Sequence, residues 1–271
     1  MIDAHVHLWR IGRNDCRWPG PDLAAIHRDF EVAELLEEVN AGGMAQALLV
    51  QSQESEADTR WLLDIAAGEP RIVGVVGWVD LAAGDAPARI DALSAAGPLV
   101  GLRPMVQDRA DNWYDDPALR PGLAHTAARG LVLDALVRPR HLASLGRLAA
   151  RMPALTILID HGAKPEPDRF EAWAQAIGPL AAHRNIACKL SGLLTEQPAG
   201  EEDPAVVRGW MDLMMAHFGP DRLVWGSDWP VVTLKAPYRQ WRDIAWNAVA
   251  APDRPAIFGG NAARLYRLAR T

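Results

Sequence analysis

The sequence predicts one (β/α)8 barrel of the TIM type, on three observations. Short apolar segments alternate with helix-period segments eight times over the 271 residues. The short segments are near-continuous runs of Val, Ile, Leu and Ala, as expected for parallel strands buried on both faces. No Gly-x-Gly-x-x-Gly follows the first strand, which removes the main support for an open dinucleotide-binding sheet with the same alternation. Eight units in this length favour the closed barrel.

Strand one spans residues 1–9 and reads as strict alternation. Side chains in a strand point to opposite faces in turn, so Asp3, His5 and His7 are expected on one face and Ile2, Ala4, Val6 and Leu8 on the other. A solvated edge strand would give the same pattern. Two imidazoles spaced this way can also reach one ion or one substrate, and neutral imidazole is a common metal ligand. Phe30, Val32, Leu35, Leu36 and Val39 recur at helical spacing over residues 30–40, and Gly42-Gly43 stops that helix. Residues 45–50 form a strand ending in Gln51, 59–67 a helix, 72–79 a β-branched strand, and 86–96 a helix closed by Gly97-Pro98. Strand 99–106, helix 117–128, strand 131–137, helix 139–150 and strand 155–159 follow, the last running into Asp160-His161-Gly162. Helix 168–182, strand 185–190, helix 204–217, strand 222–226 and helices 237–250 and 260–270 complete the chain. No linker, low-complexity stretch or charge run divides it, so one domain over residues 1–271 is expected.

Hydrophobic residues at 49% suffice for a large core, and charged residues at 23% match ordinary globular domains. A net charge of −6 leaves no basic stripe to neutralise phosphates, which argues against nucleic acid. No apolar run reaches the roughly 18 residues of a membrane span. The chain enters its first strand at Ile2 without a charged or apolar leader, so no secretory signal is expected. Cys16 and Cys188 fit no Cys-x-x-Cys pattern and read as free thiols in a reducing compartment, Cys188 buried in a strand. The expected setting is cytosolic.

In such a barrel the active site lies at the C-terminal ends of the strands. Reactive side chains gather there: His5 and His7 from strand one, Arg103 from strand four, and His161 after strand six. Lys189 and Ser191 belong to strand seven, and Asp228 follows strand eight in Gly226-Ser227-Asp228-Trp229-Pro230. Each alone has a plainer explanation. Arg103 or Lys189 could be an inward charge paired within the barrel, Asp228 a helix cap, His161 a satisfied core histidine. Packing does not explain why His5, His7, His161 and Asp228 converge on one rim. His27, His125, His141, His183 and His217 fall in loops or helices away from it. Of eleven tryptophans, Trp9, Trp113 and Trp229 follow strands, where an indole can wall a pocket. Trp61, Trp173, Trp210, Trp241 and Trp246 fall on helices and pack the outer layer.

Taken together, residues 2–9, Val50-Gln51, Thr59-Arg60-Trp61-Leu62-Leu63, Gly101-Leu102-Arg103, Asp160-His161-Gly162-Ala163-Lys164-Pro165, Lys189-Leu190-Ser191-Gly192-Leu193 and Gly226-Ser227-Asp228-Trp229-Pro230 resemble the amidohydrolase superfamily. The nearest branch holds sugar lactonases such as L-fuconolactone and L-rhamnonolactone hydrolases. Phe258-Gly259-Gly260-Asn261-Ala262 and Tyr266 resemble its C-terminus, so the match runs in order over nearly the whole chain.

The resemblance implies a barrel whose centre is His5, His7, His161 and Asp228. Two-metal members add a bridging carboxylate or carboxylated lysine and a further strand-end histidine. Here Arg103 stands in the region of the former, and strand seven offers Lys189 and no histidine. That departure argues against two metals and leaves one divalent ion, or none. Three imidazoles and a carboxylate would suit zinc. The implied reaction is water attack on the carbonyl of an aldonolactone, such as L-fuconolactone or L-rhamnonolactone, with Asp228 as general base. His5, His7 and His161 would orient water or polarise the carbonyl, directly or through a metal. Arg103 and Lys189 would donate to the carbonyl or the sugar hydroxyls. Loops 107–116 and 193–203 are expected to set specificity. The alternatives are a metal-dependent amide hydrolase or decarboxylase of the same superfamily, and a non-catalytic sugar-binding barrel, which would need no base.

Overall fold

Eight parallel strands lie side by side in chain order in the computed structural model, which describes residues 1–200 and 202–269. They are β1 (Ile2–Val6), β2 (Gln46–Val50), β3 (Ile72–Gly77), β4 (Leu99–Leu102), β5 (Val132–Ala135), β6 (Ile157–Ile159), β7 (Ile186–Leu190) and β8 (Leu223–Trp225). Between them run α1 (Val32–Ala41), α2 (Glu56–Gly68), α3 (Ala86–Ala96), α4 (Arg120–Ala128), α5 (Leu142–Arg151), α6 (Phe170–Ile177) and α7 (Pro204–Phe218). The chain ends with α8 (Tyr238–Ala248) and α9 (Asn261–Leu265). The ring closes where β1 meets the residues after β8. Val6 bridges Trp229, His7 N–H donates to Trp229 O at 2.7 Å, and Asp228 N–H donates to His5 O at 2.8 Å. The expected (β/α)8 barrel is the observed architecture.

Two apolar layers hold it. Ile2, Ala4, Leu48, Val50, Val76, Val132, Leu158, Ala187 and Val224 fill the inside of the ring, and Ala262 and Tyr266 from the C-terminal segment join this layer. Val6, Leu8, Leu49, Val75, Leu133, Ile157, Ile186, Cys188 and Trp225 face outward and pack under the helices. Burial on both faces explains the continuous apolar runs of the strands.

Strand one departs from strict alternation. Its pairing with β2 shifts register between Asp3 and Val6, the mark of a β-bulge, which puts one extra residue into a strand and re-aims the side chains beyond it. Ile2 and Ala4 point into the ring, Val6 and Leu8 point out, and the change of phase falls between them. Asp3 therefore does not share a face with His5 and His7, as alternation predicts. It points outward to Tyr238 of α8.

Other boundaries moved for local reasons. Helix α2 begins at Glu56 rather than residue 59, because Ser55 Oγ accepts the N–H groups of Ala57 and Asp58. The predicted helix 168–182 breaks after Ile177 into a 3-10 turn, Gly178–Ala182, since Pro179 has no N–H to donate. Strands β3 and β4 stop at Gly77 and Leu102. One more bond, Arg103 N–H to Gly77 O at 2.8 Å, follows before the chain turns away. The last predicted helix shortens to α9 after a π-type turn, Ala256–Gly260. Its predicted end at residue 270 lies outside the described residues, as does residue 201 in the 193–203 loop. Both cysteines are free thiols, with Cys188 Sγ 3.6 Å from Met214 Sδ in α7. Among the described residues no helix is long and apolar enough to cross a membrane.

Candidate active site

The bulge in β1 turns His5 and His7 to the inside of the ring's C-terminal end. Gly226 makes room for His5, since a Cβ there would lie 2.5 Å from His5 Cβ and 2.9 Å from His5 N. Asp3, on the outer side, ties the two strands together. Its carboxylate accepts from Ser227 N at 2.9 Å, His5 N at 3.2 Å and Tyr238 OH at 2.8 Å. Burial pushes that carboxyl up to about 6, against the pull of these hydrogen bonds.

His161 and Asp228 reach the same place from β6 and β8. Both hold left-handed backbone, at φ 52° and 62°. For residues with a Cβ this costs about 1–3 kcal/mol and tends to cluster at functional sites. Gly192, at φ 62°, lets the chain after β7 pass beneath them, because a Cβ there would meet His161 Nδ1 at 2.4 Å and Asp228 Oδ2 at 3.1 Å.

The four predicted residues come together. Asp228 Oδ1 lies 3.2 Å from His7 Nε2 and 3.6 Å from His5 Nε2, and the Nε2 atoms of His5 and His7 are 3.2 Å apart. His161 Nδ1 lies 2.9 Å from Ser191 Oγ, and the His5 and His161 ring centres are 4.7 Å apart. His7 Nδ1 lies 2.8 Å from Val50 O. Burial drives His5 well below the ordinary imidazole range, and the Lys189 ammonium adds to this. Burial also lowers His161, with Lys164 and Arg103 helping against the opposing carboxylates. For Asp228, burial pushes upward, but His161, His7 and Lys164 outweigh it and hold the carboxyl below its usual range. Burial thus favours the uncharged form of His5 and His161, while the groups around Asp228 favour its carboxylate form.

Arg103 and Lys189 lie beneath this group. Arg103 Nη2 donates to Gln51 O, Gln51 Nε2 donates back to Arg103 O at 2.7 Å, and Arg103 Nη1 lies 3.6 Å from Asp160 Oδ2. Lys189 has no exposed surface. Its ammonium contacts Asp134 Oδ2, Asp160 Oδ1 at 3.0 Å and His5 Nδ1 at 3.0 Å, and Tyr266 OH donates to Asp134 at 2.8 Å. A group buried this way does not touch a ligand in the cleft, so Lys189 is not the substrate donor the sequence suggests. Asp134 and Asp160 were not singled out from the sequence. The signal was present: each is a lone carboxylate in or at the end of an apolar strand, where only a buried partner makes a charge tolerable.

Above the four residues opens a cleft of about 400 Å³ bounded by His7, His161, Asp228, Arg103, Arg138 and Lys164. A neighbouring cavity of about 620 Å³ shares its Trp18, Ser52 and Met105 wall. The predicted indole walls are elsewhere. Trp9 is fully buried, its Nε1 donating to Arg28 O at 2.9 Å. Trp229 is buried edge-on against Phe30, with ring centres 5.2 Å apart, and Trp113 packs against Tyr114 in a turn beside α5. Trp18 lines the cleft instead. It sits in the irregular segment before α1, which has no period to read, and Gln53 holds it there through Nε2 to Trp18 O at 2.6 Å. The 107–116 loop contributes Gln107 and Asp108, and the 193–203 loop contributes Thr195.

His5, His161 and Asp228 each offer a ligand atom within 4.8 Å of the others, and these donor types fit zinc. The Nδ1 of His161 is occupied by Ser191, which leaves its Nε2 free in the manner of metal-bound histidines. A second group, His5, Asp134 and Asp160, already surrounds the Lys189 ammonium.

Comparison with known proteins places the chain in a family. The amidohydrolase family profile matches residues 2–268. The chain is 44% identical to the L-fucono-1,5-lactonase of Burkholderia ambifaria, over 99% of this chain and 96% of the relative. It is 34% identical to the L-fucono-1,5-lactonase of Burkholderia multivorans, over 98% and 96%. The crystal structure of an amidohydrolase from Burkholderia multivorans with bound zinc superposes at a TM-score of 0.93, with 34% identity and 99% of both chains covered.

Proposed function

The chain belongs to the amidohydrolase family, and from that premise we propose that it is a hydrolase that opens a sugar 1,5-lactone of the L-fuconolactone type. The observation that carries the reading is Asp228, a buried, ionised carboxylate set against three imidazoles at the floor of a cleft sized for one sugar ring. The lactonase names of two relatives matched over nearly their whole length supply the substrate class.

Asp228 takes a proton from water as the water oxygen attacks the lactone carbonyl carbon. The carbonyl oxygen becomes an oxyanion, stabilised by hydrogen-bond donors aimed at it. Collapse breaks the bond to the ring oxygen, and Asp228 returns its proton to that leaving oxygen. The product is a hydroxy acid, which ionises and releases one proton per turnover. Arg103, at the floor, and Lys164 and Arg138, on the wall, supply positive charge for the carbonyl, the sugar hydroxyls and the product carboxylate. A divalent ion held by His161, Asp228 and His5 would lower the pKa of a bound water and polarise the carbonyl.

A pH-indicator assay against a panel of 1,4- and 1,5-sugar lactones, before and after verified metal removal, tests the reading. Acid release ranks the substrates, and its persistence without metal assigns the chemistry to side chains. Silence across the panel with zinc restored would favour an amide hydrolase or decarboxylase on the same barrel.

A further inference from the structure

Opening a single sugar ring leaves the cavity beside the reaction cleft unused. From its position and lining we propose that this cavity is a subsite for a second, uncharged sugar unit. The substrate class is then the 1,5-lactone of a disaccharide acid, an aldonolactone that carries a glycosyl group.

The cavity, of about 620 Å³, is larger than the cleft of about 400 Å³ and meets it at Trp18, Ser52, Met105, Gln107 and Asp108, which line both. Its residues come from the loops after β1, β2 and β4, at the C-terminal end of the ring. His161 and Asp228 follow β6 and β8. In a closed ring of eight strands in chain order, β2 stands across from β6 and β4 across from β8. A lactone with its carbonyl against Asp228 therefore turns the opposite edge of its ring toward the second cavity. In a 1,5-lactone the atom directly across the ring from the carbonyl carbon is C4. A glycosyl group on O4 points that way, and it also blocks closure of the 1,4-ring.

The walls are held in place. Gln53, only 4% exposed, accepts from Arg17 N at 2.9 Å and donates to Trp18 O at 2.6 Å and Ser52 Oγ at 3.0 Å. The Trp18 indole meets Trp9 edge to face, with ring centres 5.3 Å apart. Arg140 Nη2 donates to Gln107 O at 3.0 Å and Arg109 O at 3.2 Å. The Arg109 guanidinium pairs with Glu54 at 2.8 Å and so joins the loops after β4 and β2. Walls fixed in advance spare a ligand the cost of ordering them.

The lining selects the ligand. Two of its ten residues, Trp18 and Met105, are apolar, and the carboxylates of Asp15, Glu54 and Asp108 are mixed with the guanidiniums of Arg17 and Arg109. A ligand charged with either sign meets like charge there. Hydroxyls donate to the carboxylates and accept from the guanidiniums, and the C–H face of a sugar packs on an indole. The chemical step rests on the lactonase reading. Water adds to the carbonyl carbon, the bond from that carbon to the ring oxygen breaks, and the glycosidic bond stays intact, giving a disaccharide acid.

Binding can be read without turnover. Protein labelled with 15N-tryptophan is titrated with cellobionate, maltobionate and lactobionate, and with gluconate, the unit all three share. The Trp18 indole N–H signal is assigned by its loss in Trp18→Phe. The expected result is that at least one disaccharide acid shifts this signal and binds roughly tenfold more tightly than gluconate. That advantage falls by at least about threefold in Trp18→Ala and in Arg109→Ala, a side chain that lines the second cavity alone. Equal affinity for gluconate and all three disaccharide acids overturns the proposal, as does an advantage that survives in the variants. If Trp18→Ala does not fold, the surface variant Arg109→Ala decides. The expected binding without turnover of any lactone would sink the proposed function and leave the subsite standing. Lactone turnover with no disaccharide advantage would remove the subsite and leave the function standing.

Discussion

Replacing Gly226 by Ala tests how the barrel's closure positions its chemistry. The new Cβ would stand 2.5 Å from His5 Cβ and must retreat to the 3.4 Å at which ordinary contact begins, a movement of about 0.9 Å. Its neighbours there are His5 backbone and Cβ, not the end of a flexible side chain, so the strands themselves must part. That movement strains the bonds that close the ring, Asp228 N to His5 O and His7 N to Trp229 O. It also displaces Asp228, two residues along, relative to His5 and His7. Overpacking of this kind costs about 1–3 kcal/mol, and a misplacement near 1 Å at the reacting groups lowers turnover by roughly 10². Thermal unfolding and steady-state kinetics on the best lactone measure both. The expected result is a fall of several degrees in Tm with kcat down by roughly two orders of magnitude. A Gly226→Ala protein with wild-type Tm and kcat would refute the argument that β8 must lie this close to the β1 bulge.

Three further outcomes follow from other parts of the molecule. Asp58 is buried near the start of α2, and burial pushes its carboxyl up to about 7 despite bonds from the Ser52 and Gln53 backbone. Its folded value lies above its unfolded value, so its contribution to stability is full below about pH 4 and is lost as pH rises through about 7. Asp58→Asn should therefore gain in Tm relative to wild type between pH 5 and pH 8, and parallel Tm profiles would contradict this. Ser55→Ala removes the cap of α2 and should cost about 1 kcal/mol in urea unfolding with the m-value unchanged; an unaltered midpoint would show the cap to be idle. Leu158, fully buried inside the ring, should cost about 2–5 kcal/mol as Leu158→Ala, and a loss below 1 kcal/mol would mean that the interior layer is not close-packed.

The barrel was legible because all eight strands are apolar on both faces and nothing else in a chain of this length repeats strand and helix so evenly. His5, His7, His161 and Asp228 were legible because strand ends converge once the ring closes. The bulge in β1 was not. Ile2 and Ala4 inside are as apolar as Val6 and Leu8 outside, so residue type does not betray the change of phase, and alternation wrongly put Asp3 beside the histidines. Lys189 could be seen, but not its depth, because a lysine at a strand end reads alike whether it meets solvent or two carboxylates. Asp134, in the middle of Val132-Leu133-Asp134-Ala135, was the clue to its partner. The tryptophans misled for a simpler reason: an indole after a strand can turn toward the cleft or into the outer layer, and Trp9 and Trp229 turned into the layer around Phe30.

The most direct test of the central claim compares wild type with Asp228→Asn, each freed of metal and again with zinc restored, for acid release from L-fucono-1,5-lactone. Circular dichroism would verify that the variant keeps its fold. The account predicts rapid acid release by the wild-type protein and a loss of roughly 10²–10⁴ in kcat for the folded variant, the usual contribution of a general base. Wild-type turnover in Asp228→Asn would contradict it.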